Sequence, residues 1–246
     1  MRDNHLHTNF SYDCQTNFEA YLQQWSGEFV TTEHLDFSNP YLGGPRDDIP
    51  DYQAYCQKIA QLEQTYGSAI KKGIEIGYFA PRKADILAYL DGKEFDLKLL
   101  SIHHNGVFDY LEEAVFDLKK EDVIPLYLKE LTAAVGEIPA HVLAHFDYGF
   151  RKFQVSLSDL QAFEPELRQL FSKMIEHDLA LELNSKSMYL YGHEEIYRYA
   201  AQLFLSMGGR KFSVGSDGHI PQHFRLHFDK IQKLLSQLGI TEKNLI

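Results

Sequence analysis

The chain has 246 residues, 44% of them hydrophobic and 24% charged, an ordinary globular composition long enough to bury a sizeable core. Its formal net charge of −11 argues against nucleic acid or an anionic membrane surface as the main partner. No apolar run approaches the length of a membrane span. Short apolar or β-branched runs alternate with longer stretches of helical period. The runs Asn4–Leu6, Glu28–Thr32, Lys72–Ile76, Leu97–Ile102, His141–Ala144, Leu179–Leu183 and Lys211–Gly215 read as strands. A helix is expected after Asp48 and Pro50, where Tyr52, Tyr55, Ile59 and Leu62 share one face and Gly67 stops the turn. Others should open near Pro81, near Pro125, at Ser158 with Gln161 completing a capping box, and at His193. The last should run from Phe228 to Gly239. Strands joined by helical crossovers predict a parallel sheet, and at this length a closed or distorted (β/α)7 barrel is favoured over an open one.

No repeat, low-complexity tract or linker divides the chain, so residues 1–246 read as a single domain. Cys14 and Cys56 form no CxxC pair, and the opening Met1-Arg2-Asp3-Asn4-His5 has no signal-peptide pattern, which together point to the cytoplasm.

The 12 histidines are numerous for an acidic chain of this size, and their positions are more informative than their number. Every expected strand ends in His, Asp, Glu or Asn: His5 and His7, Glu33 and His34, Glu75, His103 and His104, His145 and Asp147, Asn184, then Asp217 and His219. Strand C-termini form the active-site rim of an α/β barrel, so this habit predicts one converging site on that rim. His5 and His7, at i and i+2 in an extended segment, share a face and can chelate one cation. Asp217 and His219 repeat that spacing. A carboxylate at Glu75 has two oxygens and can bridge two ions. With Asp13, His34, His103 and His145 the set has nine candidate ligands, too many for one tetrahedral zinc. Imidazole with carboxylate suits two or three ions such as Zn, Mn or Fe. Such ions would also reverse the sign of the pocket, so an acidic protein could present it to an anionic substrate.

These segments, in this order, resemble the PHP (polymerase and histidinol phosphatase) superfamily of metal-dependent phosphoesterases. The motifs are HLHTNFSYD at His5–Asp13, TEH at Thr32–His34, Glu75 in GIEIG, His103 in SIHH, His145 in LAHFD, and Asp217 with His219 in GSDGH. The resemblance spans essentially the whole chain and implies a distorted (β/α)7 barrel with a trinuclear centre on the C-terminal rim. It implies that His5, His7, Glu75 and Asp217 hold a first ion. Glu75 with His103 and His145 would hold a second, and Asp13, His34 and His219 a third. Within the superfamily the chain looks most like the stand-alone histidinol-phosphate phosphatases, through TEHLDF at Thr32–Phe37, the arginine after LAHFD, and LELNS at Leu181–Ser185. It departs from them in carrying lysine at Asn184-Ser185-Lys186-Ser187 and in being somewhat short.

The implied chemistry is attack of a metal-bound hydroxide on a phosphomonoester, the pKa of the bound water falling from about 15.7 to about 7. Asp217, His219 and Glu75 are its candidate catalytic residues. Arg151 is the first choice for gripping phosphate, because a guanidinium binds two oxygens in a fork. Lys186 is the second and Arg225 a weaker third. Glu33 and Asp36 flank His34 and could take a substrate cation, or serve as supporting carboxylates. His104 alternates to the opposite strand face from His103 and could contact substrate or sit behind the sheet. The expected partner is a small phosphorylated molecule, with no nucleic acid and no membrane; oligomeric state is not readable. Competing readings are a phosphoesterase acting on another small ester and an amidohydrolase-like hydrolase, which also begins with HxH on a barrel strand. Asp13 and the late SDGH pair favour the phosphoesterase. A DNA exonuclease is disfavoured by the charge, and a scaffold that keeps ions only as staples is disfavoured by the intact ligand set.

Overall fold

A computed structural model describes residues 1–42, 45–67 and 70–246. Six of the seven apolar runs form strands β1 (Phe29–Asn39), β3 (Ile70–Gly77), β4 (Leu97–Ser101), β5 (Val142–Leu143), β6 (Ala180–Asn184) and β7 (Phe212–Gly215), and the polar Arg46–Asp48 adds a short β2 that was not expected. They lie side by side in the order β2-β1-β3-β4-β5-β6-β7, all parallel except the short β2, which runs back along the end of β1 with Asp36 opposite Asp48.

The expected first strand, Asn4–Leu6, is not a regular strand; its one ladder contact is Leu6 with Gly218. It nevertheless closes the ring. Asn4 N–H donates to Val214 O at 2.9 Å and His7 N–H to Gly218 O at 2.9 Å, while Val30 N–H reaches Asp3 O at 3.1 Å and Thr32 N–H reaches Leu6 O at 2.7 Å. The segment thus fills the gap between β7 and β1 and leaves neither edge open there. The result is the expected distorted (β/α)7 barrel. β1 is longer than its apolar run suggested, because Glu33, His34 and Asp36 continue the strand instead of following it.

Helix α1 (Phe18–Leu22) precedes β1, and α2 (Tyr52–Tyr66), α3 (Lys83–Leu90), α4 (Lys120–Ala134), α5 (Leu157–Gln161), α6 (Glu164–Glu176), α7 (Ser185–Tyr189), α8 (Glu194–Ser206) and α9 (Phe228–Gln237) lie between and after the strands. α2 starts where Asp51 accepts from Ala54 N–H and ends at Gly67, whose φ of 64° suits glycine. Two expected boundaries are wrong. α4 does not open at Pro125 but runs through it, giving up one backbone bond. Burial of Val123, Ile124, Tyr127, Leu128 and Leu131 carries the helix past that loss. The capping box belongs to Ser156 and Asp159, not to Ser158 and Gln161. α7, which Asn184 caps by accepting from Ser187 N–H, is short and was not anticipated.

Alternation along the strands sorts the core into two layers. Leu35, Ile76, Leu100, Leu143, Leu181 and Val214 belong to the large cluster shared with the helices. Val30, Leu97, Leu99, Val142, Ala144 and Ala180 form a separate plug inside the ring. The inward positions beyond that plug are polar: His34 and Asp36 on β1, Glu75 on β3, His103 after β4, His145 after β5. Parity along β1, β3 and β4 aims the first four of these groups at one end of the barrel axis, while His145, which has the parity of outward Leu143, joins them because regular alternation ends at Leu143. Among the described residues no helix is long and apolar enough to cross a membrane.

Candidate metal centre

Glu75 stands at the middle of the constellation, fully buried. Its Oε1 lies 2.6 Å from His145 Nε2 and 3.1 Å from His103 Nε2. Its Oε2 lies 3.2 Å from His5 Nε2, 3.4 Å from His7 Nε2 and 3.2 Å from His34 Nδ1. Toward the mouth, His34 Nε2 is 3.5 Å from Asp13 Oδ1, and His219 Nε2 is 3.0 Å from Asp13 Oδ2. Asp217 Oδ1 is 3.8 Å from His7 Nε2 and 3.5 Å from His219 Nδ1. All nine residues expected as ligands are thereby brought into one connected cluster. Asp217 reaches its place with a φ of 53°, a left-handed conformation that aspartate tolerates better than most side chains.

Three groups within the cluster bring one donor atom each within 4.8 Å of one another: His5, His7 and Glu75; His34, Glu75 and His103; and His7, His34 and His219. The donor set fits divalent cations on two counts. His5 Nε2 and His7 Nε2 face each other at 3.1 Å, near the separation of about 3.3 Å that two ligands about 2.0 Å from one tetrahedral ion would have. Glu75 Oε2 and His34 Nδ1 are buried without a hydrogen-bond partner, a costly state that a shared cation would relieve.

Burial and neighbouring charge pull the titrating groups of the cluster in different directions. Burial works against charge on His5 and His103, yet Glu182 and Glu75 hold the first ring, and Asp36 and Glu75 the second, well above the usual imidazole range. Burial likewise opposes charge on Glu75, but the surrounding imidazoles keep it well below the carboxylate range. His7 goes the other way: burial, then repulsion from His219 and His34, lowers it.

Several ligand candidates are steered by a buried carboxylate behind them. His5 Nδ1 is 2.7 Å from Glu182 Oε1, and His103 Nδ1 is 2.9 Å from Asp36 Oδ1. Both approaches need a strand-end glycine: a Cβ on Gly215 would collide with Glu182 Oε1, and one on Gly77 with Asp36 Oδ1. Glu182 was missed from sequence, although an acidic residue two positions before Asn184 in an apolar strand is a readable signal. Asp36, a candidate for a substrate cation, instead orients His103. Glu33 is also corrected. It faces away from His34, and its oxygens are occupied by Thr8 N–H, the Thr8 hydroxyl and the Ser11 hydroxyl.

Of the remaining candidates for substrate contact, Arg151 is buried at 1% exposure, with Nη1 donating to Asp217 Oδ2 at 3.1 Å. Lys186 Nζ donates to Asp217 O at 3.1 Å and lies 3.4 Å from His219 Nδ1. His104 turns behind the sheet, as its parity allows, packing on Phe79 with Nδ1 accepting from Gly106 N–H. Arg225 is a correction: its guanidinium lies 4.0 Å from the Trp25 ring centre and donates to Met1 O, so Trp25 and the chain start occupy it. One mouth residue was overlooked. Asp48 on β2 has a buried Oδ2 without a hydrogen-bond partner among the described residues, and burial, partly offset by His34, pushes its carboxyl up to about 7.

A closed (β/α)7 barrel with histidines and carboxylates gathered on its C-terminal rim is the architecture of a metal-dependent hydrolase. The PHP domain family model matches residues 3–186, and the chain belongs to that family. The histidinol-phosphatase of Lactococcus lactis subsp. lactis is 25% identical over 98% of this chain and 92% of its own. A protein of Thermotoga maritima named "Probable histidinol-phosphatase" is 24% identical over 97% of this chain and 93% of its own. A crystal structure of histidinol phosphate phosphatase from Lactococcus lactis, complexed with zinc, L-histidinol and phosphate, shares the fold. Its TM-score is 0.86 at 24% identity, covering 98% of this chain and 94% of that one.

Proposed function

We propose that this chain is a metal-dependent phosphomonoesterase that hydrolyses L-histidinol phosphate to L-histidinol and phosphate, a cytoplasmic step of histidine biosynthesis. The observation that carries the reading is the nine-residue cluster around Glu75 with a buried guanidinium, Arg151, on its edge. The names of the relatives supply the substrate. In this reading His5, His7, Glu75 and Asp217 hold one divalent ion, Glu75 with His103 and His145 a second, and Asp13, His34 and His219 a third. Zn, Mn and Fe all suit these donors. When bound, such ions polarise phosphoryl oxygens and make water nucleophilic at neutral pH.

The protein's own groups do the rest. Arg151 grips non-bridging oxygens of the ester in a fork, and Lys186 adds positive charge between Asp217 and His219. Asp217 fixes Arg151 through Oδ2 while its Oδ1 faces His7 and His219. Glu75 keeps five imidazoles aimed at one point. The same preorganised charges favour a phosphoryl group over an amide, which sets this reading above an amidohydrolase.

The test is elemental analysis of the purified protein together with a panel of phosphomonoesters on Zn- and Mn-loaded samples. Histidinol phosphate should exceed the other esters in kcat/KM by at least about tenfold, roughly what one charged contact to the substrate cation supplies. Comparable low rates on every ester would remove histidinol phosphate as the substrate.

A further inference from the structure

Arg151 is fully enclosed, yet two of its three nitrogens, Nε and Nη2, make no hydrogen bond among the described residues. A buried guanidinium is tolerated only where counter-charge is close and its plane is held. Its plane is held by Tyr148 and Tyr191, whose ring centres lie 5.0 Å and 5.4 Å from the guanidinium carbon. Counter-charge comes from two sides, Asp217 at 3.1 Å and Asp147 Oδ2 at 3.9 Å from Nε. Asp217 also belongs to the proposed ligand set, so an ion there would draw on its charge. Asp147 has no such second duty toward the centre.

The surroundings of Asp147 are those of a fixed anion. It is fully buried. Its Oδ1 accepts from Tyr197 OH at 2.7 Å and from Ser187 OH at 2.9 Å, and its Oδ2 lies 2.7 Å from His193 Nδ1. Asp147 starts the tight turn Tyr148–Phe150 that ends at Arg151, with Phe150 N–H on Asp147 O at 2.9 Å. Three side chains from the α7–α8 region therefore lock a carboxylate four residues before the arginine it faces.

We infer that Asp147, held by Ser187, His193 and Tyr197, is a positioning residue that holds Arg151 from its Nε side and presents the unpaired Nη2 to the phosphoryl group. This rests on the phosphatase reading, in which Arg151 binds phosphate, and it assigns work to His193 and Tyr197, which lie outside the proposed ligand set. The probe is inorganic phosphate, titrated calorimetrically into the metal-loaded protein, with kcat, KM and metal content measured in parallel for Asp147→Asn, Arg151→Ala and the double variant.

Asp147→Asn should weaken phosphate and raise KM by about tenfold, the lower range for a group supporting a ligand contact, with metal content unchanged. It should alter kcat by less than about threefold, since it moves binding of ester and product together. The double variant should bind phosphate within about twofold of Arg151→Ala alone, because two residues acting through one contact are not additive. A merely structural Asp147 would multiply its loss with that of Arg151, and that result overturns the inference. So does wild-type phosphate affinity in Asp147→Asn when Arg151→Ala is weakened. Wild-type affinity in Arg151→Ala overturns the phosphate-binding role of Arg151 itself and the inference with it. If Asp147→Asn does not fold, Tyr197→Phe removes one donor to the carboxylate and should weaken phosphate about threefold; no change there overturns the inference as well.

Discussion

Glu182 Oε1 lies 2.7 Å from His5 Nδ1, while its Oε2 accepts the His145 backbone N–H at 2.7 Å and the Asn184 amide at 3.2 Å. One carboxylate thus sets the ring of the proposed ligand His5 and the backbone of the proposed ligand His145. Glutamine cannot replace it, since its amide nitrogen would meet one of these donors. Glu182→Gln should lower metal affinity by about 10- to 100-fold with the far-UV spectrum unchanged. Competition against a chromophoric chelator reads this directly, and unaltered affinity would show that His5 needs no such support.

Asp217→Asn isolates charge from backbone shape. Asparagine adopts the left-handed conformation found at Asp217, φ 53°, about as readily as aspartate, so the turn should survive. What disappears is the anion facing Arg151, Lys186 and His7. Turnover should fall by at least about a hundredfold, the scale of losing one preorganised electrostatic contact, and the metal retained after dialysis should drop. A variant that kept both would remove Asp217 from the ligand set.

The sequence displayed most of this centre because strand ends and period-two alternation are local signals. His5 and His7, Glu75 and His103 share the inward parity of an apolar run and His145 directly follows one, so nothing distant is needed to see them. The supporting carboxylates were harder, since each acts across the fold: Glu182 is 177 residues from His5, and Asp36 is 67 from His103. Glu33 shows the same limit. Its neighbour His34 suggested the pocket, but a one-residue step in a strand reverses the face, and Thr8 and Ser11 take up its oxygens. Arg225 follows the last ligand pair in sequence, yet the chain turns it toward Trp25. Helix starts failed where competing local cues stood close together, as Ser156 and Ser158 do, and where burial outweighed a proline, as in α4.

Asp109 ties stability to pH. It is 2% exposed, accepts from Leu111 N–H at 2.8 Å and from Tyr148 OH at 3.1 Å, and burial pushes its carboxyl from 3.8 up to about 6 against the opposing pull of His103. The unfolded chain releases this proton near 3.8 and the folded one near 6, so its contribution to stability falls as pH rises between those values and is level above them. Two units at about 1.4 kcal/mol each give roughly 3 kcal/mol. Asn keeps the accepting oxygen without the charge. Asp109→Asn should match the parent protein near pH 4 and exceed it by up to about 3 kcal/mol at pH 7, read by urea unfolding in the presence of a chelator. A deficit larger at pH 7 than at pH 4 would mean that the ionised form is the stabilising one.

Asp48 offers the mouth of the site a carboxylate oxygen, Oδ2, that has no hydrogen-bond partner among the described residues. It stands opposite Asp36 across the β1–β2 pair, and His34 is the main positive influence on it. A substrate bearing an ammonium or imidazolium would supply the missing donor, and a hydrogen bond to a charged group contributes about 1.5–3 kcal/mol. Asp48→Asn should therefore raise KM for histidinol phosphate by about ten- to a hundredfold. p-Nitrophenyl phosphate, which has the same phosphoryl group and no cation, should keep its KM within about twofold. The contrast between the two esters is what matters: a loss common to both would place Asp48 in the support of the centre, and a loss confined to the cationic ester makes it the residue that selects the substrate.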